Sequence, residues 1–496
     1  MTEPQSADAD FRSIRYLADQ AFSRSAGAPL TTGNQVELLF DSAQNFPAWL
    51  GSVETAAESV LIEMYLFSDD AFGRRMRTAL IDKARAGIQV CLLYDALGCW
   101  REHLHGFFKP LRQAGAQVRA YNPINPLRGL ALFGRNHRKL LIVDRRQAFV
   151  SGLCISSRWE GDPDKHLPPW RDTGVHLAGP VVDEAVTAFA DSWASCGAPL
   201  SLPPKPAPAQ PPSQDAVAVR LIATTPTTAH LMRLDLLIAS FARKSLWLTD
   251  AYFMGTSLYL TALKQAAQDG VDVRLLVPRS SDIGWVATVS RTLYRPLLEA
   301  GVRVFEWNGP MVHAKTAVAD GRWARIGSSN LNLSSWLANR ELDVAIEDEE
   351  IATAMEVKFV QDLGQATEIV LKGARRRPAL SAPRDIDLAQ SVLELMHPSA
   401  AARHASAAAR QAARISDALG AVVRGTRPVE GSEATSFLSI GLFLLALALL
   451  VGYFPYLVAA PLGLALAISG GGIALRALVL IWQRHQRPRE HDKDAS

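Results

Sequence analysis

The chain has 496 residues, of which 48% are hydrophobic and 20% charged, with a formal net charge of +3. That length calls for two or three domains with packed cores, and the near-neutral balance argues against a nucleic-acid partner. The four cysteines, Cys91, Cys99, Cys154 and Cys196, have the spacing of neither a disulfide framework nor a metal site, so they read as reduced packing residues of a cytosolic protein.

Residues 1–34 are polar and rich in Ala and Ser, an N-terminal arm without the apolar stretch of a signal peptide. A strand at 36–40 opens the first α/β domain, residues 35–199. Inside it a strand at 61–65, a helix at 76–85 and a strand at 90–93 follow one another. Six prolines between Pro203 and Pro212 make residues 200–215 a stiff linker. The second domain, residues 216–370, repeats the order with a strand at 246–249, a helix at 258–268 and a strand at 273–277. Residues 371–433 are basic and Ala/Arg-rich, with Arg403, Arg410 and Arg414 on one helical face. Near a membrane segment, such a stripe is placed to touch anionic headgroups.

Between Glu433 and Arg476 the chain runs 42 positions without a charge. As helix that is ~63 Å, about twice a ~30 Å hydrocarbon core. Pro455, flanked by Tyr453 and Tyr456, breaks the run. Residues 434–483 are therefore read as a transmembrane hairpin with spans at 436–453 and 457–481. Arg424 and Arg427 precede it, while Arg484, Arg487 and Arg489 open a basic, then polar, tail at 484–496. The positive-inside rule then puts both ends, and the α/β domains, on the cytoplasmic side of the cell membrane.

The chemistry sits in a motif that occurs twice. His137, Lys139 and Asp144 have the spacing His-x-Lys-x4-Asp, and His313, Lys315 and Asp320 repeat it 176 residues later (313 minus 137). The residues between Lys and Asp are mostly β-branched or small and apolar in both copies, as in a buried strand. Side chains alternate along a strand, so His and Lys two apart project to one side. Asn330 closes Gly327-Ser328-Ser329-Asn330 beyond the second motif, and the matching window of the first is Ser151-Gly152-Leu153-Cys154. With strand, helix and strand preceding both motifs, the chain is an internal duplication.

Two histidines and two lysines without a metal-ligand cluster point to phosphoryl transfer on a diester, with no metal or cofactor. One His can attack phosphorus and form a phosphohistidine, while the other protonates the leaving alkoxide and then activates the acceptor. The lysines would stabilise charge on the non-bridging oxygens. An Asp can fix the tautomer of an imidazole, and Ser328 and Asn330 can bond phosphate oxygens. Each copy supplies only one His, so the halves are expected to share a site.

These motifs resemble the phospholipase D superfamily, and within it the bacterial cardiolipin synthases, over roughly residues 20–350. Residues 27–34, Trp170-Arg171-Asp172-Thr173, Ala251-Tyr252-Phe253 and Asn339-Arg340-Glu341 extend the resemblance. It implies an α/β fold of two phospholipase D-type sandwich domains about a pseudo-twofold axis, with His137 facing His313. It also implies phosphatidyl transfer from phosphatidylglycerol to a second phosphatidylglycerol, releasing glycerol. By analogy His137 is the nucleophile and His313 the general acid and base, although pseudo-symmetry leaves the reverse open. Lys139 and Lys315 would bind phosphate, Asp144 and Asp320 would orient the histidines, and Glu341 would support them. Cys154 stands where the family has Asn, which removes one amide and predicts a modest change in rate. The C-terminal hairpin also departs from relatives with N-terminal spans. Two alternatives stay open: a hydrolase with water as acceptor, and, further off, a nucleic-acid phosphodiesterase.

Overall fold

The computed structural model describes residues 18–123, 134–202, 216–226 and 228–371. The proline-rich stretch 203–215, the basic segment from 372 and the expected membrane hairpin lie outside the described residues. Among the described residues no helix is long and apolar enough to cross a membrane.

The first half contributes strands β1 (Thr31–Phe40), β2 (Ser59–Met64), β3 (Gln89–Asp95), β4 (Gln117–Tyr121), β5 (Lys139–Val143), β6 (Gln147–Ser151) and β7 (Thr173–Ala178). The second contributes β8 (Val217–Thr224), β9 (Ser245–Thr249), β10 (Asp272–Pro278), β11 (Arg303–Trp307), β12 (Thr316–Ala319), β13 (Trp323–Gly327), β14 (Glu341–Glu347) and β15 (Ala366–Ile369). The strand β1 starts at Thr31, inside the expected arm, where Thr31 pairs with Val219 and Asn34 with Val217 of β8. Outward from that junction the order is β1-β7-β6-β5-β2-β3-β4 on one side. On the other it is β8-β14-β13-β12-β9-β10-β11, with β15 added at the edge. The sequence duplication is thus a duplication of topology.

In each half three strands run parallel, β2-β3-β4 and β9-β10-β11. Parallel neighbours need crossovers, which the helices Ala71–Arg85 and Ser257–Gln268 begin to supply. Asp70 caps the first, accepting from the Gly73 N–H at 3.0 Å, and Thr256 caps the second. Phe72, Met76 and Leu80 are spaced by four on the first helix, so one face buries all three.

The motif strands β5 and β12 lie antiparallel to β2 and β9 and are buried on both faces. Strand alternation divides their side chains. Leu141 and Val143 join the outer core beneath the first half's helices, as Ala317 and Ala319 do in the second. Leu140 and Ile142 turn inward, with Val150 and Val175, to meet Val318, Ile326, Leu342 and Val344 of the other half. The halves therefore share one apolar core. Separating them would expose it, at roughly 25 cal/mol per Å², so the site between them is held by hydrophobic burial.

Candidate active site

Two short backbone bridges cross between the halves and place the histidines. The His137 N–H donates to the Arg340 carbonyl (2.9 Å), and the Arg340 N–H donates to the Arg135 carbonyl (2.8 Å). In the mirror arrangement the His313 N–H donates to the Arg171 carbonyl (2.7 Å), and the Arg171 N–H to the Met311 carbonyl (2.9 Å). Each motif histidine is thereby locked beside a segment of the opposite half, at the residue just before an acid.

Those acids are the imidazole partners. Nδ1 of His137 lies 2.9 and 3.1 Å from the two carboxylate oxygens of Glu341, and Nδ1 of His313 lies 2.8 Å from Oδ2 of Asp172. An ionised carboxylate only accepts, so Nδ1 carries the proton and Nε2 is the basic nitrogen. Neither Nε2 has a hydrogen-bond partner among the described residues. Both carboxylates are fully buried. Glu341 also accepts from the Ser328 hydroxyl (2.6 Å) and the Asn339 amide (3.2 Å). Asp172 also accepts from the Trp159 indole (2.9 Å) and the Thr173 N–H (2.8 Å).

Burial pushes the Glu341 carboxyl upward, but the contacts with His137, Lys139 and Ser328 more than offset it and hold it below its ordinary value. Asp172 behaves likewise under His313, Lys315 and Trp159. Burial also pulls both imidazoles below their usual value, with the nearby ammonium groups acting in the same direction and the carboxylates opposing. The resting site thus has neutral histidines over ionised acids.

The lysines complete it. Lys139 Nζ donates to the His137 carbonyl (2.6 Å) and lies 5.2 Å from the centre of the Tyr65 ring. Lys315 Nζ donates to the His313 carbonyl and lies 5.6 Å from the centre of the Tyr252 ring. Burial lowers both lysines, Lys315 to about 8. Each lysine also depresses the histidine of the opposite half, so the four groups act in one electrostatic field. Aromatic rings wall the site: Tyr65 stands edge-on to His137 at 4.8 Å. Trp159, Trp170 and Tyr252 surround His313 at 5.2, 5.7 and 5.8 Å.

The motif aspartates correct the sequence expectation. Asp144 and Asp320 follow the far ends of β5 and β12, ~17 Å along the chain from Lys139 and Lys315 at about 3.3 Å per residue. They do not touch the histidines. Asp144 accepts the N–H groups of Ala57, Glu58 and Ser59 (2.9, 2.7 and 2.9 Å). Asp320 accepts those of Arg243, Lys244 and Ser245 (2.9, 2.7 and 2.9 Å). Both have positive φ, 52° and 55°, a conformation Asp tolerates better than most residues. They cap the entries to β2 and β9.

Ser328 is likewise corrected, because its hydroxyl donates to Glu341 and its oxygen accepts the Leu342 N–H and it is not directed at a phosphate. Asn330 is buried with its amide oxygen unpartnered among the described residues; that oxygen only accepts, so a bond to a phosphate oxygen has to come from the amide N–H groups. Cys154, its counterpart, is buried, and burial pushes its thiol up. Glu341, read as a weak supporting residue, is a direct imidazole partner. Asp172 was missed as a site residue. The signal was the repeated Arg-acid pair, Arg171-Asp172 and Arg340-Glu341.

Residues 50–158 and 237–363 match the family model of the cardiolipin synthase, PLD-like domain. The cardiolipin synthase of Halalkalibacterium halodurans is 32% identical over 358 residues, 71% of each chain. Cardiolipin synthase A of Pseudomonas aeruginosa is 31% identical over 367 residues, 73% of each. Among solved structures, phosphatidylserine synthase from Haemophilus influenzae shares the fold. Its TM-score is 0.53 at 14% identity, over 71% of this chain and 91% of that one.

Proposed function

The chain belongs to the cardiolipin synthase family of phospholipase D-like proteins, and we propose that it carries a phosphatidyl group from one phosphatidylglycerol to a second. It is a phosphatidyltransferase. The observation that carries the substrate reading is the pair of imidazoles, each with Nδ1 engaged by a buried carboxylate of the opposite half and Nε2 free, beside two buried ammonium groups.

His137 Nε2 attacks phosphorus, forming a P–N bond while the P–O bond to the glycerol headgroup breaks. The diester brings negative charge, which joins Asp172 in favouring the imidazolium of His313. That imidazolium gives its proton to the departing alkoxide. Neutral His313 then takes the proton of the acceptor hydroxyl as its oxygen displaces His137 from phosphorus. Lys139 and Lys315 stabilise the charge that grows on the non-bridging oxygens, with the amide N–H of Asn330 as a further donor there. Glu341 and Asp172 hold the tautomers. The charge-free run at 434–475 supports a membrane anchor, with the α/β domains on the cytoplasmic side and residues 371–433 against anionic headgroups.

Product analysis in phosphatidylglycerol vesicles tests this with wild type, His137→Ala and His313→Ala. Cardiolipin and glycerol are expected in equal amounts, with turnover down at least about 10³-fold in both variants. Phosphatidic acid without cardiolipin would make the protein a hydrolase. If either alanine variant kept its rate, the shared site would be wrong.

A further inference from the structure

Large apolar side chains are exposed in two connections that leave equivalent strands. After β3 come Leu97, Trp100 and Leu104, exposed by 46%, 46% and 70%; after β10 come Ile283, Trp285 and Val289, exposed by 41%, 61% and 36%. Each tryptophan sits at the start of a helix, Trp100–Leu104 or Gly284–Thr292. The aliphatic residue follows four positions later, on the same outward face. Inward, Cys99 and Phe107 in one connection and Val286 and Ser290 in the other are buried. The duplicated fold thus repeats an apolar tip made of a tryptophan and an aliphatic side chain.

Both tips are tied to the walls of the site. Asp95 accepts the N–H groups of Leu97 and Gly98 with one oxygen (2.9 Å each) and that of Asn136, next to His137, with the other (2.9 Å). A Cβ on Gly98 would meet the Tyr65 carbonyl at 2.1 Å, and Tyr65 stands against His137. On the other side the Tyr252 hydroxyl donates to Asp282 at 2.7 Å. Asp282 adjoins Ile283, and Tyr252 stands against His313. One tip therefore flanks each catalytic histidine.

Exposed apolar clusters beside a site mark an interaction surface. Tryptophan favours the boundary between hydrocarbon and headgroups, where its ring is half solvated. The nearby charges are mixed, Arg101 with Glu102 and Arg279 with Asp282, so the attraction is apolar more than electrostatic. We propose that the two tips form a rim that enters the interface of a phospholipid bilayer and opens the diester site onto lipid. The location of the substrate rests on the phosphatidyl-transfer reading; the docking of the rim does not.

The test uses the full chain with phosphatidylglycerol vesicles whose acyl chains carry bromine, which quenches tryptophan on contact. Wild type is compared with the Trp100→Phe/Trp285→Phe double variant, which removes the two fluorophores and keeps apolar rings in the tips. The chain has 11 tryptophans, and the others, Trp482 of the C-terminal segment included, contribute equally to both proteins. Wild type should show a quenched component that the variant lacks, and that component should persist in high salt. Equal quenching would place the tips in water and overturn the proposal. A second variant, Trp100→Ala/Trp285→Ala, should lower the ratio of turnover on bilayer lipid to turnover on a monomeric short-chain phosphatidylglycerol by about fivefold or more. An unchanged ratio would also overturn it. Intact quenching without turnover of any phospholipid would instead sink the transferase assignment alone.

Discussion

The two halves agree where the chemistry requires it and diverge around it. Both present a histidine bridged by backbone to an Arg-acid pair of the other half, and both bring a lysine back to the histidine's own carbonyl. The environments of the two acids are not copies. Glu341 is backed by Ser328, whereas a Cβ at the corresponding Gly152 would meet Asp172 at 2.1 Å, and the Trp159 indole supplies the donor there. Arg138, between His137 and Lys139, is fully buried and donates to the carbonyls of Glu341, Ala188 and Thr224. Its counterpart Ala314 has no polar group to offer. The duplication has kept the converging groups and let the scaffold behind them drift, which is how a symmetric pair of histidines can take unlike roles.

The largest test of that asymmetry is to trap the intermediate. With a labelled phosphatidyl ester of p-nitrophenol, whose leaving group needs no proton, His313→Ala should retain labelled protein, because the nucleophile remains while the group that activates the acceptor is gone. His137→Ala should retain none. Label on His137→Ala alone would exchange the two roles.

Neutralising the acids should cost turnover about 10²-fold each and separate the halves by pH. An amide still accepts the Nδ1 proton, but without the carboxylate charge the imidazole pKa falls further. Glu341→Gln lowers the pKa of a histidine that must be neutral, so the acid limb of the rate profile should move to lower pH. Asp172→Asn lowers the pKa of one that must be protonated in the complex, so the alkaline limb should move down. A shift of the same limb in both variants would mean that the acids do not serve different steps.

The motif aspartates should report stability. Replacing Asp144 or Asp320 by Ala strands three strand-entry N–H groups, an expected loss of about 1–3 kcal/mol. The midpoint of thermal unfolding should drop by several degrees, with kcat of the folded enzyme within about threefold of wild type. A kcat loss as large as that of Glu341→Gln would return the aspartates to the catalytic machinery. The smallest effect is reserved for Cys154→Asn, which makes the first half resemble the second. A change in kcat within about threefold is expected, and unaltered kinetics would make the difference between Cys154 and Asn330 irrelevant to rate.

Much of this was legible in the chain. The repeated His-x-Lys-x4-Asp spacing, the strand-helix-strand order before each copy and the buried character of β5 and β12 are local properties. They follow from side-chain alternation and from the stretch of apolar residues a buried strand requires. They identified the histidines and lysines and required the halves to meet. The same spacing misled on Asp144 and Asp320, because a strand of that length carries its last residue away from its first. What binds each imidazole was decided by tertiary structure alone. Glu341 lies 204 residues from His137, and Asp172 lies 141 from His313. No spacing encodes such a pair. It exists because the two halves of the sheet bury a common apolar core, and that burial sets each acid against the histidine of the other half.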